Sequence, residues 1–292
     1  MAAQPASSGG AEAATQLGDL PEECLAQAIA LTSPRDACRI AAVSPAFRAA
    51  ADSDHVWRAF LPRESPAVVL LQPAAKSKKE AYLGLCDAGS AVTVGDDGGC
   101  RMWLDKATSA RCYALSARRL SLPWDDGEFC WKFTPHPRSR FGEVAELVDC
   151  TCLDIYGTLP SSSLTPATTY AAYFVYGAAA AAAEGGAGGG HRGLSYPDQE
   201  TAVSVGGRVV DSHDVCLLPP DGGAAGVRRR PRRREDGWWE MEMGRLVISG
   251  GETEEQEVTA SFEVLGWHPK RGLLVEGIEF RPVVVAHSST TT

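Results

Sequence analysis

The 292 residues, 44% hydrophobic and 22% charged, fit one or two folded domains and exclude a wholly disordered, collagenous or coiled-coil chain. A net charge of −9 excludes a dedicated nucleic-acid binder, because a surface that tracks phosphates leaves a basic balance. The longest uncharged apolar run, Tyr170 to Ala183, is alanine-rich and shorter than the ~20 residues of a spanning helix, so no membrane partner is expected.

The first 15 residues are rich in Ala, Gly and Ser without periodicity and predict a disordered tail. Near the N-terminus there is neither a Lys or Arg cluster nor a compact apolar stretch, which predicts no secretory signal peptide. From Leu17 onward the chain carries helix punctuation. Pro21 with Glu22 and Glu23 opens a short helix that places Leu25 and Ile29 on one face. Ser33-Pro34 and then Ser44-Pro45 form N-cap and N1 pairs, the first with Asp36 in the opening turn. Val56, Trp57, Phe60 and Leu61 recur at helical spacing and stop at Pro62. So small a set of helices buries little surface, and it is expected to finish folding against a partner. Ser77 and Glu80 then predict a capped connector helix over Lys78 to Leu85.

Beyond about Cys100 the pattern turns to period two with Gly and Pro punctuation, the sign of an all-β domain. Val258, Ala260, Phe262 and Val264 alternate with Glu257, Thr259, Ser261 and Glu263, one dry face against one wet face. Leu147 to Tyr156 and Tyr170 to Tyr176 are apolar on both faces and predict central strands, and Trp239, Met241 and Met243 alternate with Glu240 and Glu242. Two insertions, 177–193 and 219–236, predict mobile surface loops, the second holding the arginines of 228–234. The cysteines, odd in number and without framework spacing, predict reduced intracellular thiols, and the absence of asparagine removes any N-glycosylation sequon.

Several of these residues fall into longer patterns. Leu20-Pro21-Glu22-Glu23-Cys24, Thr32-Ser33-Pro34-Arg35-Asp36-Ala37-Cys38-Arg39, Val43-Ser44, Phe47, and Val56-Trp57 to Phe60-Leu61-Pro62 resemble a plant F-box. Leu115-Ser116-Ala117-Arg118, Trp124, Trp131, Phe141 to Leu147, Leu153-Asp154-Ile155, Thr169 to Tyr173, Asp236-Gly237-Trp238 and Gly277 to Pro282 resemble the phloem protein 2 lectin domain, shared with the tobacco leaf agglutinin.

The resemblance implies an α+β chain: a tail at 1–15, a helical F-box module at 16–62, a connector with a short helix at 63–105, an all-β jelly-roll-like sandwich at 106–285 and a tail at 286–292. It further implies that Leu20, Pro21, Leu25, Ile29, Val43 and Trp57 dock on a Skp-family adaptor and through it reach a cullin. The plain alternative is that Trp57 and Ile29 are internal core. For the second domain it implies a glycoprotein or oligosaccharide containing N-acetylglucosamine as ligand, with Trp124 and Trp131 as the binding tryptophans. An indole accepts the C–H face of a sugar ring while nearby Asp125, Asp126 and Glu128 offer polar partners. The alternative is that both tryptophans pack inside the sandwich, as expected for Trp238, Trp239 and Trp267.

The function implied is a non-catalytic receptor subunit of a Skp–cullin–F-box ubiquitin ligase in cytoplasm and nucleus. The alternative is a stress-related nucleocytoplasmic lectin independent of ubiquitination. The run 228–234 is a candidate import signal, as in a comparable loop of the tobacco relative, or else a solvated loop kept off the sheet by its charge. No cofactor is implied. Cys150 and Cys152 share a face if they lie on one strand, but no second ligand pair accompanies them and no metal site is expected. Glu143, Glu146 and Asp149 near Trp131 do not by themselves make the opposed carboxyl pair that a glycosidase needs.

Overall fold

A computed structural model describes residues 20–62, 75–123, 130–179, 192–196, 198–218, 229–249 and 255–283. Four helices come first, α1 (Glu22–Ala30), α2 (Pro34–Ile40), α3 (Pro45–Asp52) and α4 (Asp54–Phe60), followed by the connector helix α5 (Lys78–Leu85). The expected caps are in place. Ser33 Oγ accepts the Asp36 amide at 3.1 Å, Ser44 Oγ the Phe47 amide at 3.3 Å and Ser77 Oγ the Glu80 amide at 3.1 Å. Among the described residues no helix is long and apolar enough to cross a membrane.

The strands are β1 (Val92–Val94), β2 (Cys100–Leu104), β3 (Arg111–Ser116), β4 (Trp131–Pro135), β5 (Glu143–Leu147), β6 (Leu153–Pro160) and β7 (Thr168–Ala178). They continue with β8 (Gln199–Val205), β9 (Arg208–Val215), β10 (Arg232–Arg233), β11 (Trp239–Ile248), β12 (Glu257–Val264) and β13 (Leu273–Pro282). The larger sheet has nine strands, ordered β1-β2-β3-β13-β7-β11-β10, with β5 also on β13 and β4 on β5; the smaller runs β6-β12-β8-β9. All pairings between these strands are antiparallel. The chain crosses between the sheets repeatedly, which is the jelly-roll-like sandwich expected.

The dry face of β12 points inward as its alternation predicts, and Phe262 stacks on Phe174 of β7 at 5.2 Å between ring centres. Strand β7 is central, flanked by β13 and β11, in agreement with its two apolar faces. Leu147 to Tyr156 is not one central strand. The chain leaves the larger sheet after Leu147, turns through 148–152, and enters β6 at the edge of the smaller sheet, where alternate residues are exposed. The strand-like alternation of Val148, Cys150 and Cys152 with Asp149 and Thr151 across that turn conceals a change of sheet. The sheet also begins earlier than residue 106, because β1 pairs with β2 and β2 with β3 from within the stretch expected to be connector.

The helices do not hang from the sandwich by a free linker. Trp57 packs on Tyr82 of α5 at 5.2 Å, and the Tyr82 hydroxyl donates toward the carbonyls of Asp105 and Lys106, 3.0 and 3.2 Å away, in the turn between β2 and β3. The Arg35 amide donates to the Ala107 carbonyl of that turn at 3.3 Å. One apolar core therefore runs from Leu25 and Ile29 through Trp57, Phe60 and Tyr82 into Leu104 and Tyr113. The small surface that called for an external partner is completed within the chain.

The arginines of 229–234 are laid on the larger sheet, contrary to a loop held off by its charge. Strand β10 pairs Arg232 with Glu240 and Arg233 with Trp239. Glu240, 3% exposed, accepts from Arg232, from Arg234 at 3.4 Å and from Arg281 at 2.8 Å. Glu279 pairs with Arg140 at 2.7 Å and Arg234 at 2.9 Å, and Arg229 pairs with Glu242. The buried carboxylates attract the guanidinium groups, and the strand pairing lets the loop reach them.

Burial by itself would raise the Glu240 carboxyl, but Arg281 and Arg232 outweigh it and hold the group below its ordinary value of 4.5. A depressed carboxyl contributes stability that is present above its unfolded value and lost as pH falls through the folded one. Glu240→Gln is expected to cost about 2 kcal/mol at neutral pH. Its chemical-denaturation midpoint should also fall less than the wild type's as pH drops below 4.5; parallel acid profiles would contradict this assignment.

Candidate functional site

Two surfaces carry the residues singled out in the sequence, one on the helices and one at the far end of the sandwich. On the helices the six expected docking residues divide. Leu25, Ile29 and Trp57 lie in the core at 2%, 3% and 2% exposure, because the i and i+4 positions of α1 face α3 and α4. The Trp57 indole N–H donates to the Ala51 carbonyl at 2.8 Å and so has its partner inside. Leu20, Pro21 and Val43 are exposed, Leu20 by 44% and Val43 by 70%. Leu31, which the sequence reading passed over, is 82% exposed at the C-cap of α1. Its signal was legible: it lies two residues past Ile29, off the apolar stripe and just before the next cap.

At the other end, Trp131 is buried in β4 and its indole N–H donates to the Pro123 carbonyl at 3.0 Å. It packs in the core, the second of the two readings the sequence left open. Trp124, with Asp125, Asp126 and Glu128, lies outside the described residues. Trp238 is packed as expected, donating to the Arg138 carbonyl at 3.2 Å, and Trp239 is half-buried. Trp267 departs from its expected packing role: it is 84% exposed in the connection between β12 and β13.

That connection is held from beneath. Lys270, whose side chain is buried, donates to the carbonyls of Thr151 at 2.8 Å, Gly266 at 2.7 Å and His268 at 3.1 Å. Burial holds the ammonium below its ordinary range, with the neighbouring Cys150 and Cys152 thiols acting in the opposite sense. Cys150 and Lys270 also exchange backbone hydrogen bonds at 3.0 and 2.7 Å, and Arg192 and Arg271 do so at 3.0 and 3.1 Å. A second buried side chain, Gln199, donates to the carbonyls of Leu194 and Tyr196, both at 2.8 Å, and accepts the Leu217 amide at 2.8 Å. Gly193 sits at φ +75° where a Cβ would lie 2.5 Å from the Pro269 carbonyl, so glycine is needed for the two loops to meet. The Val148 amide donates to the Cys130 carbonyl at 2.8 Å, which brings the C-terminal flank of the Trp124 segment to the same end.

Cys150 and Cys152 lie in the 148–152 turn instead of on a strand. Cys150 is buried and its thiol donates to the Cys152 carbonyl, while Cys152 is exposed. Among the described residues no three ligating side chains come together for a metal ion. Glu143 is engaged by Arg118 in an ion pair, which holds its carboxyl low.

A helical module sharing a core with an antiparallel sandwich defines a two-part chain, and comparison with known proteins gives the parts their names. The phloem protein 2 family model matches residues 110–282, and an F-box-like model matches residues 17–63. The chain belongs to the phloem protein 2 family, as an F-box protein carrying that domain at its C-terminal side. It is 34% identical to the putative F-box protein PP2-B8 of Arabidopsis thaliana over 91% of this chain and 88% of that one. Against F-box protein PP2-B10 of the same plant the identity is 34% over 91% and 93%, and against the putative F-box protein PP2-B12 it is 35% over 90% and 97%. An F-box implies binding to a Skp1-type adaptor.

Replacing Lys270 by Met leaves three loop carbonyls without their donor. A loss of about 2 to 3 kcal/mol in urea unfolding is expected, with faster amide exchange in residues 266–272; an unchanged midpoint would show that water replaces the ammonium at no cost.

Proposed function

We propose that this chain is the substrate-recognition subunit of a Skp–cullin–F-box ubiquitin ligase, acting in cytoplasm and nucleus. Its F-box helices dock on the adaptor, and its sandwich captures a glycan-bearing or otherwise modified target. The chain contributes no catalytic group of its own: it raises the local concentration of a target near a ubiquitin donor carried by other subunits. The observation that carries this reading is the shared core through Trp57 and Tyr82, which makes the F-box and the sandwich one body with two exposed ends. Leu20, Pro21, Leu31 and Val43 supply the apolar docking residues on the helices. Leu25, Ile29 and Trp57 support that surface from below.

The glycan part of the reading draws on the family resemblance and on the loop end where Cys130 accepts the Val148 amide of the 148–152 turn. The import role of the arginine run is reduced in this reading, since Arg229, Arg232 and Arg234 are paired to carboxylates, Arg232 while still exposed, and Arg230 and Arg233 are the other exposed cations of its described part.

Co-expression with a plant Skp-family adaptor is expected to yield a stoichiometric complex with the full chain. Leu31→Asp combined with Val43→Asp should reduce adaptor recovery at least about tenfold, as removal of central apolar contacts does, with the unfolding midpoint unchanged because both positions are exposed. A well-folded full chain that ignores the adaptor would overturn the ligase role and favour a free-standing lectin.

A further inference from the structure

Ubiquitin is joined to a protein through an amine, which makes the lysines of a ligase receptor chemically relevant, and here they are few: six of the 28 basic side chains. All six lie among the described residues, and four stand at the helical pole. Lys76, Lys78 and Lys79 belong to α5 and the turn before it, and Lys79 is held by Asp52 at 2.6 Å with its ammonium over the Trp57 ring. Lys106 is in the turn between β2 and β3 against which the helices pack, its carbonyl 3.2 Å from the Tyr82 hydroxyl. Lys270 lies at the opposite pole but has no exposed surface, and its ammonium is committed to the carbonyls of Thr151, Gly266 and His268.

Lys132 differs from all of these. It follows buried Trp131 on β4, so strand alternation turns its side chain to solvent, and among the described residues it has no ion-pair partner. It stands opposite Glu146 of β5, which in turn stands opposite Leu274 of β13. Leu274 is at the N-terminal end of β13, away from Phe280, which pairs with Tyr113 toward the helices. The amine is therefore fixed on paired strands at the pole remote from the adaptor. The exposed basic position on the loops of that pole, Arg192, and its backbone partner Arg271 are arginines. A guanidinium keeps the charge of an ammonium but stays protonated, so it offers no free electron pair to an acyl carbon.

We propose that Lys132 is the residue at which this receptor itself accepts ubiquitin, and that arginine in place of lysine spares the rest of the remote pole. This rests on the ligase reading above, because proximity brings the ubiquitin donor to whatever amine stands where a target is held. In the step the neutral Lys132 Nζ attacks the thioester carbon that joins the ubiquitin C-terminus to the donor cysteine of another subunit. The C–N bond forms, the C–S bond breaks, and the departing thiolate takes up the proton that the amine loses. No oxidant or reductant enters.

The full chain should be assembled with a plant Skp-family adaptor and a cullin–RING pair, then incubated with ubiquitin, its activating and conjugating enzymes and ATP. Tryptic Gly-Gly remnants, mapped by mass spectrometry, report which lysines are modified. Lys132 is expected to carry most of the remnant, and Lys132→Arg to lower total modification of the chain at least about fivefold. That variant keeps the charge opposite Glu146 and should retain the wild-type unfolding midpoint and adaptor recovery, so the loss reads the amine alone. Adding Arg192→Lys to Lys132→Arg should restore modification at the new amine; no restoration would overturn the role given to arginine. An assembled complex in which Lys132 stays unmodified, or in which the remnant falls mainly on Lys76, Lys78, Lys79 or Lys106, would overturn the site and leave the ligase reading in place. A folded chain that does not assemble with the adaptor would overturn that reading and the site with it.

Discussion

The architecture depends on one strand having two partners along the same edge. Strand β13 pairs with β5 through Leu274 and Val275, then with β3 from Gly277 to Phe280, while its other edge holds β7 along its whole length. The changeover falls at Gly277, where the register with β7 also shifts and where a Cβ would lie 1.9 Å from the Leu115 carbonyl. Only a residue without a side chain lets β3 approach so closely. Because β4 hangs on β5, and β1 and β2 hang on β3, this single crossing point joins both wings of the larger sheet. It also sets direction: the C-terminal end of β13 lies toward the turn that receives Tyr82, and its N-terminal end runs out of the loop containing Lys270.

The outer face of that strand explains why the arginine loop lies where it does. Residue alternation sends Ile278 and Phe280 into the core and Glu279 out, next to Glu240 on the far side of β7. Two carboxylates at 3% exposure would be costly without counter-charge. Arg140, Arg234 and Arg281 arrive from three separate segments to supply it, and Arg281 in addition stacks over the Tyr173 ring at 3.7 Å. Three of the six arginines in that run, Arg229, Arg232 and Arg234, thus serve as counter-charge within the fold. A chain with net charge −9 has a use for such a run that does not involve a polyanion.

What could be read from the sequence follows the range of the forces involved. Caps are local, so Ser33, Ser44 and Ser77 were legible from three-residue patterns, and so were the dry face of β12 and the two-faced burial of β7. The 148–152 turn was not legible, because Val148, Cys150 and Cys152 alternate with Asp149 and Thr151 as residues of a half-buried strand do, and nothing but the partner sheet tells the two apart. The sequence leaves the burial of Ile29 and Trp57 as one of two readings and assigns Leu25 to docking alone; Tyr82, far away in sequence, joins all three in one core. Trp267 was misjudged for the converse reason. Tryptophan is usually packed, and the lysine that frees it from packing by bracing the loop sits three residues on, indistinguishable in composition from a surface lysine.

These pieces constrain how the protein could work as a receptor. The helices contact the turn at 105–107, next to the C-terminal end of β13, whereas the aromatic loops lie beyond its N-terminal end. Ten residues of extended strand span roughly 33 Å, so the two surfaces stand at opposite poles of a single body. Delivery by proximity requires that distance to be reproducible, since a floppy joint would spread a captured target over a large volume and lower its effective concentration. The hydroxyl of Tyr82 and the ring contact with Trp57 supply that rigidity with two side chains. The rigidity extends to that pole, because Cys150 and Leu194, from the loops of the aromatic end, lie in the same buried core that ties the helices to the sheet.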